Sequence, residues 1–236
     1  MHRVSIVIFG AFACGLMNGC ATNPPPPDPG PADVRVANAE IGGLAFDVCV
    51  DDEVILENSR HGSITPYGEI VSGEREFNKA AAGSNCGDAI NAFFGPGASV
   101  TLAEGTQNTI VLLADGESGF LLQDDNSPTR PDRARVRLIN ASEDSLSLTV
   151  REDGGAILFT LVRYDEPGDY DYIDVVAGTY DLRVTPLAGD MTPMDFPSVE
   201  FAEGVVYTLF AVGRIDGDGE AFDLIVSQDA SPGPTP

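Results

Sequence analysis

The 236-residue chain has no tryptophan, two histidines and 13 lysines and arginines in total. Each scarcity excludes something. His2 falls in an N-terminal targeting segment, which leaves His61 within Ser59-Arg60-His61-Gly62-Ser63, a loop sequence. A Ser-His-acid or Cys-His device needs a histidine as base, and no G-x-S-x-G elbow occurs. The expectation is therefore a protein that is not an enzyme. Histidine-based metal sites fall with the same inventory, and no cofactor is expected. Basic residues are outnumbered by 37 acidic ones, for a net charge of −24. A field of that sign repels nucleic acid and anionic headgroups, so neither is an expected partner. Helical periodicity is missing too, since no stretch beyond the N-terminus holds a 3.6-residue apolar repeat over three turns.

One long apolar run is present, at the very start. Arg3 precedes Val4 to Leu16, broken only by Ser5, Gly10 and Gly15. Such a run is too short to span a bilayer stably and matches the core of a signal peptide. It ends in Leu16-Met17-Asn18-Gly19-Cys20, which resembles a bacterial lipobox with Cys20 as the acylated first residue. An ordinary cleaved signal, with Cys20 an incidental thiol, is the plainer alternative. The segment after Cys20 reads ATNPPPPDPGPA, and proline at that density prevents helix and sheet and gives a semi-rigid spacer. Residues 1–19 are thus read as signal and 20–32 as anchor and tether. The expected location is the outer membrane or cell surface, with the membrane touched through the lipid alone.

The remainder repeats itself at a shift near 100 residues. Val34 begins VRVANAE and Val136 begins VRLINAS. Residues 46–52 lie over 146–152, 99–105 over 198–204, and 108–114 over 207–213. The pairs Val34/Val36, Val48/Val50, Leu182/Val184 and Leu224/Val226 alternate apolar with polar at period two, the mark of strands. Turn sequences such as Asp153-Gly154-Gly155 and Pro167-Gly168-Asp169 separate them. Many short strands in about 95 residues argue a sandwich. The ambiguous segment 79–94 is read as turn and strand over 175–187. The expected fold is all-β, two tandem β-sandwich domains of immunoglobulin-like or prealbumin-like character. They occupy 33–125 and 133–229, joined by a linker at 126–132 and followed by a disordered tail at 230–236.

Three constellations could carry chemistry. Cys49 and Cys86 fall on polar positions of their aligned strands, over Thr149 and Asp181, and so point to one outer side. In an exported protein that phase predicts a disulfide, worth roughly 3–4 kcal/mol in the chain-entropy model. Asp216, Asp218 and Glu220 alternate with glycines, as calcium ligands do. The same residues between two strands are also plain hairpin chemistry, so calcium stays a weak candidate. Asp51-Asp52-Glu53 and Asp124-Asp125-Asn126 are weaker still. Tyr164, Tyr170 and Tyr172 could stack on sugar rings or could be core. The expected function is a non-catalytic surface display, adhesion or scaffold module with a protein or glycan partner. The alternative is carbohydrate- or calcium-dependent recognition.

The segments VRLINAS, LTVREDGGAILF, VVAGTYDLRVTP and FAEGVVYTLFAVG together resemble the bacterial family called domain of unknown function 4397. Its hallmarks are an N-A pair after the first strand, a G-T-Y turn and a Y-T-x-F-A-x-G stretch. The resemblance covers Arg135 to Val226 closely. It covers Val34 to Asp124 through fewer positions, with Gly83-Ser84-Asn85 standing for G-T-Y. It implies a secreted or surface β-sandwich and carries over no functional residue.

Overall fold

The computed structural model describes residues 29–88, 91–92, 98–127, 129–187 and 192–230. The expected signal, Cys20, the tether up to residue 28 and the tail beyond Ala230 lie outside the described residues, whereas Pro31 and Ala32, read as the end of the tether, open the first strand. The first unit runs β1 (Pro31–Asn38), β2 (Phe46–Val50), β3 (Glu53–Ser59), β4 (Gly68–Val71) and β5 (Gly73–Ala81). After a 3-10 turn at Cys86–Asp88 follow β6 (Asn91–Ala92), β7 (Ser99–Leu102), β8 (Gln107–Leu112) and β9 (Gly119–Asp124). The second unit runs β10 (Arg133–Asn140), β11 (Ser147–Glu152), β12 (Ile157–Arg163) and β13 (Ile173–Val176). It closes with β14 (Gly178–Pro186), β15 (Met194–Phe201), β16 (Val206–Val212) and β17 (Asp223–Ala230). The fold is all-β, as the alternation predicts. Among the described residues no helix is long and apolar enough to cross a membrane.

Both units use one topology. Sheets ordered β4-β1-β8-β9 and β13-β10-β16-β17 each contain a parallel pair, β1 with β8 and β10 with β16. The opposing sheets are β3-β2-β5, extended by β6 and β7, and β12-β11-β14-β15. The family hallmark asparagines end the first strand of each unit. The Asn38 side chain accepts the Glu40 N–H at 2.8 Å, and Asn140 accepts the Ser142 N–H at 3.1 Å. Each is a side-chain turn that stops its strand where the chain must cross to the other sheet. Gly213, the last hallmark glycine, has φ +77°, and a Cβ there would meet the Ala221 carbonyl oxygen at 2.3 Å. No other residue fits that close approach.

The two sandwiches do not stand apart like beads. β8 and β16 are buried at nearly every position instead of alternating, the pattern of a sheet covered on both faces. Ile110 and Leu112 face the first unit's own core, together with Val34, Val36, Val48 and Phe77. Val111, Leu113, Ala37 and Phe120 point the other way and join the second unit's core, among Leu138, Ile139, Phe210 and Leu224. The molecule is thus a stack of four sheets, with the β1–β8 and β10–β16 sheets packed face to face. Burying one Leu or Phe there contributes ~1.5–3 kcal/mol. The linker is tied down as well, because Asp125 accepts from Arg135 at 2.8 Å and Arg130 reaches Asp174 at 3.3 Å.

Register corrects the repeat alignment in two places. Phe46 pairs Ala81 and Leu148 pairs Pro186, while Gly73 pairs Leu102 and Gly178 pairs Phe201. Hence Phe46 corresponds to Leu148, not Leu146, and Gly73, not Gly83, corresponds to the glycine of G-T-Y. The cause is two differences in length that slide any ungapped match, a longer stretch between β11 and β14 (153–177) than between β2 and β5 (51–72), and a longer connection after β5 (82–98) than after β14 (187–193).

Candidate functional site

The first feature that sequence reasoning missed is the joint between the units. Arg35 and Arg137 hold equivalent places in β1 and β10 and are almost wholly buried, at 2% and 1% exposure. Each donates through Nε to its own unit's threonine, Arg35 to Thr109 at 2.8 Å and Arg137 to Thr208 at 2.9 Å. Each then reaches across. Arg35 Nη1 meets Asp229 at 2.6 Å and Nη2 meets Thr208 at 3.1 Å; Arg137 Nη2 meets Asp124 at 2.5 Å and Thr109 at 3.3 Å. The aspartates accept in turn from their own unit's hydroxyls, Asp124 from Tyr67 and Thr109, Asp229 from Tyr172 and Thr208. The guanidinium carbons also lie over the rings, Arg35 4.8 Å from Tyr67 and Arg137 4.7 Å from Tyr172, a cation–π geometry. Burial works against the Arg35 charge, but Asp229, Tyr67 and Asp124 together outweigh it and hold that guanidinium above its ordinary range. Burial raises both phenols well above the usual tyrosine value. The arrangement is a reciprocal lock. A repeated arginine inside two apolar strands was the available signal, but its partners stand too far along the chain to be read.

The second feature is a cleft of about 650 Å³ in the side of the first sandwich, between the edge strands β3 and β4. Its floor is apolar, made by Val34, Val36, Leu56 and Ile70, and its mouth carries Glu57, Glu69 and Tyr67. A shallower depression of about 490 Å³ continues it past Ile55 and Ile70 to Asp52, Glu53, Val71 and Arg75. Comparison of registers explains the space. Val48 pairs Leu56 where Val150 pairs Phe159, and Phe46 pairs Ser59 where Leu148 pairs Val162. Two residues before the lock tyrosines stand Thr65 in one unit and Tyr170 in the other. The trio Phe159, Val162 and Tyr170 is buried in the second unit, at 6%, 4% and 5% exposure. Their counterparts Leu56, Ser59 and Thr65 are all smaller, and all three line the cleft. β3 accordingly buries no apolar side chain of its own, whereas β12 buries two. An open groove with an apolar floor and a few polar groups is the usual form of a binding site.

The hydroxyls of the cleft are engaged in holding its walls. Ser59 accepts from Asn38 Nδ2 at 3.0 Å, Ser63 from the Arg60 N–H at 3.0 Å, and Thr65 from the Val36 N–H at 3.0 Å. The carboxylates of its mouth and of its continuation are free. Among the described residues, Asp52, Glu53, Glu57 and Glu69 take part in no side-chain hydrogen bond or ion pair. Arg75, which borders the continuation, reaches Asp51 at 3.4 Å.

The sequence candidates fall elsewhere. Cys49 and Cys86 are disulfide-bonded, with Cα atoms 5.7 Å apart. Cys49 occupies the outer side of β2, opposite Val48 and Val50, as expected. Cys86 departs from expectation, because it sits in the 3-10 turn folded over that face and not on a strand. Asp216, Asp218 and Glu220 form the hairpin between β16 and β17. Asp216 is held by Arg214 at 2.7 and 3.0 Å and accepts the Asp218 N–H at 3.0 Å, which keeps its carboxyl well below the usual range. Arg214 thus engages the Asp216 carboxylate, and the described residues hold no cluster of three or more metal-ligating side chains. The tyrosines form no exposed platform. Tyr170 is buried with its hydroxyl donating to backbone carbonyls, Tyr172 belongs to the lock, and Tyr164 is half-buried, its phenol pushed up to about 12 by burial and Asp115. His61 lies in a turn, its Nδ1 3.0 Å from the Glu40 carbonyl.

A family model described as a domain of unknown function, DUF4397, matches residues 32–151. The chain belongs to this family. The match falls on the first unit, the linker and the opening strands of the second, the half in which the motifs are sparser. No curated protein matches. Among solved structures the chain is similar to the TIE protein of Bacillus anthracis, at 11% identity and a TM-score of 0.23, over 78% of this chain and 34% of that one. It is also similar to a leucine-rich repeat protein of Bacteroides thetaiotaomicron, at 11% identity and a TM-score of 0.22, over 78% of this chain and 26% of that one. The chain thus spans between a quarter and about a third of those structures, and TM-scores this low carry nothing over to it.

Proposed function

We propose that this DUF4397 chain is a non-catalytic recognition module of the cell envelope, tethered through a lipid on Cys20, with the second unit a further copy of the same domain. The observation that carries the reading is the open, apolar-floored cleft of the first sandwich, set in a body that the arginine–aspartate lock makes rigid. Rigidity favours recognition, because a preformed site loses little entropy on binding. The engaged hydroxyls of Ser59, Ser63 and Thr65 support a binding role over a nucleophilic one. Equal strand order in the two units supports the duplication. The proline-rich segment supports the tether, since it would lift the sandwiches off a membrane.

The test has two arms in cells producing the whole protein. Metabolic labelling with a radioactive fatty acid is expected to mark the wild type and place it in the membrane fraction, with Cys20→Ala unlabelled and released. Cross-linking in the intact envelope is expected to trap partners on the wild type and fewer on Leu56→Phe. An unlabelled, freely soluble wild type contradicts the anchor, and identical cross-links in both proteins contradict the cleft.

A further inference from the structure

The cleft also indicates what fills it. In the second unit the equivalent space holds a phenylalanine, a valine and a tyrosine, Phe159, Val162 and Tyr170. The first unit leaves out that volume and keeps the rest of the wall. Above it, β3 ends its sheet and β4 ends the other, so both present a strand edge to the opening. An unpaired edge accepts an added strand, whose main chain bonds the edge while alternate side chains enter the pocket. Ile55 of β3 and Val71 of β4 remain exposed along it and its continuation, at 38% and 53%.

Charge selects the kind of strand. Glu57 and Glu69 stand at the opening and Asp52 and Glu53 beside its continuation, all four unpaired, while Arg75 bonds the Val71 and Ser72 carbonyls and reaches Asp51 at 3.4 Å. Four uncompensated carboxylates beside an apolar floor repel acidic segments and attract cationic ones. Resting on the reading of the cleft as the recognition site, we propose that it docks an extended, cationic peptide segment of a partner protein. That segment adds to the β3 edge, places one or two aromatic side chains over Leu56, Ser59 and Thr65, and sets Lys or Arg against Glu53, Glu57 and Glu69.

The test is fluorescence anisotropy with the full-length protein and a short labelled peptide alternating lysine with valine, phenylalanine and tyrosine. Saturable binding to the wild type is expected, weakening as salt rises. Leu56→Phe restores the second unit's filling without removing a hydrogen bond, and is expected to weaken binding by about tenfold or more. Glu57→Gln with Glu69→Gln, both exposed, is expected to weaken binding about threefold and flatten its salt dependence. Peptides with serine for the aromatics, or glutamate for lysine, are expected not to bind. Undiminished binding to a folded Leu56→Phe protein overturns the proposal, as does equal binding of the serine peptide, which would be mere attraction to an acidic chain. If Leu56→Phe removes the envelope cross-links while none of these peptides binds, the recognition site stands and a cationic, aromatic partner segment is ruled out.

Discussion

The two sandwiches share a strand order and a lock, yet they close differently. The second seals its side with Phe159, Val162 and Tyr170. The first has Leu56, Ser59 and Thr65 at those places and stays open, and it carries a disulfide on the far face of β2 that the second lacks. The contrast teaches that the shared strand order does not require a filled flank. What the first unit loses in packing it offsets in part by Cys49–Cys86, which ties the longer connection after β5 back onto the sheet. The symmetric element is structural, and the asymmetric one is where a function can be placed.

Breaking the shared element should have the largest effect. Asp229→Ala leaves Arg35 buried without its partner, and Asp124→Ala does the same to Arg137; each is expected to cost about 3–5 kcal/mol, read by urea unfolding. Because the lock is reciprocal, the two losses should be alike. Replacing Arg35 and Asp229 together by apolar residues should recover much of the loss, since no lone charge then remains. A large cost on one side only would show that the units do not share the joint equally.

Next in size is the disulfide. Cys49→Ala with Cys86→Ala is expected to cost roughly 3 kcal/mol by the chain-entropy account, with hydrogen exchange rising in β2, β5 and the 3-10 turn and little changed in the second unit. Third are the flanks themselves. Phe159→Ala empties a packed position and should cost about 3 kcal/mol, whereas Leu56→Ala, already beside open space, should cost nearer ~1 kcal/mol. Equal costs would mean that the cleft is closed in solution.

The smallest effect near neutral pH lies in titration. Tyr67 and Tyr172 in the lock are raised above the ordinary phenol value of 10.0, by burial first. A raised acid favours the folded state while protonated, so this contribution is complete below about pH 10 and declines as pH rises above it. Their phenolate absorbance should therefore appear only together with unfolding. Asp216 has the opposite sign. Its depressed value adds stability above the ordinary carboxylate range, and that is lost as pH falls through and below it. Arg214→Ala should remove that acid sensitivity while leaving the alkaline limb unchanged.

Much of the scaffold is legible in the sequence. Period-two patterning gives strands, the self-match gives two units, and the matched phase read for Cys49 and Cys86 gives the right disulfide although Cys86 lies in the 3-10 turn and not on a strand. The features that mislead have physical causes. Gly83-Ser84-Asn85 matches the G-T-Y turn because glycine-rich turns are interchangeable in composition, while the differences in length on either side of β5 shift the true counterpart to Gly73. The near-continuous apolar strands β8 and β16 hide a doubly covered sheet, and with it the joint, since Arg35 finds Asp229 far along the chain. Tyr170 and Tyr172 resemble a sugar platform because sequence does not distinguish a core tyrosine from a displayed one. The cleft is the least legible feature, being an absence of volume that becomes visible only when the registers of two units are laid together.

Hydrogen exchange of the full-length protein with and without the lysine–aromatic peptide tests the central contrast most directly. The amides of β3 should gain protection on binding while those of β12, its sealed counterpart, stay as they were. Protection spread equally over both strands, or none at β3, would contradict the assignment of recognition to the first unit's open flank.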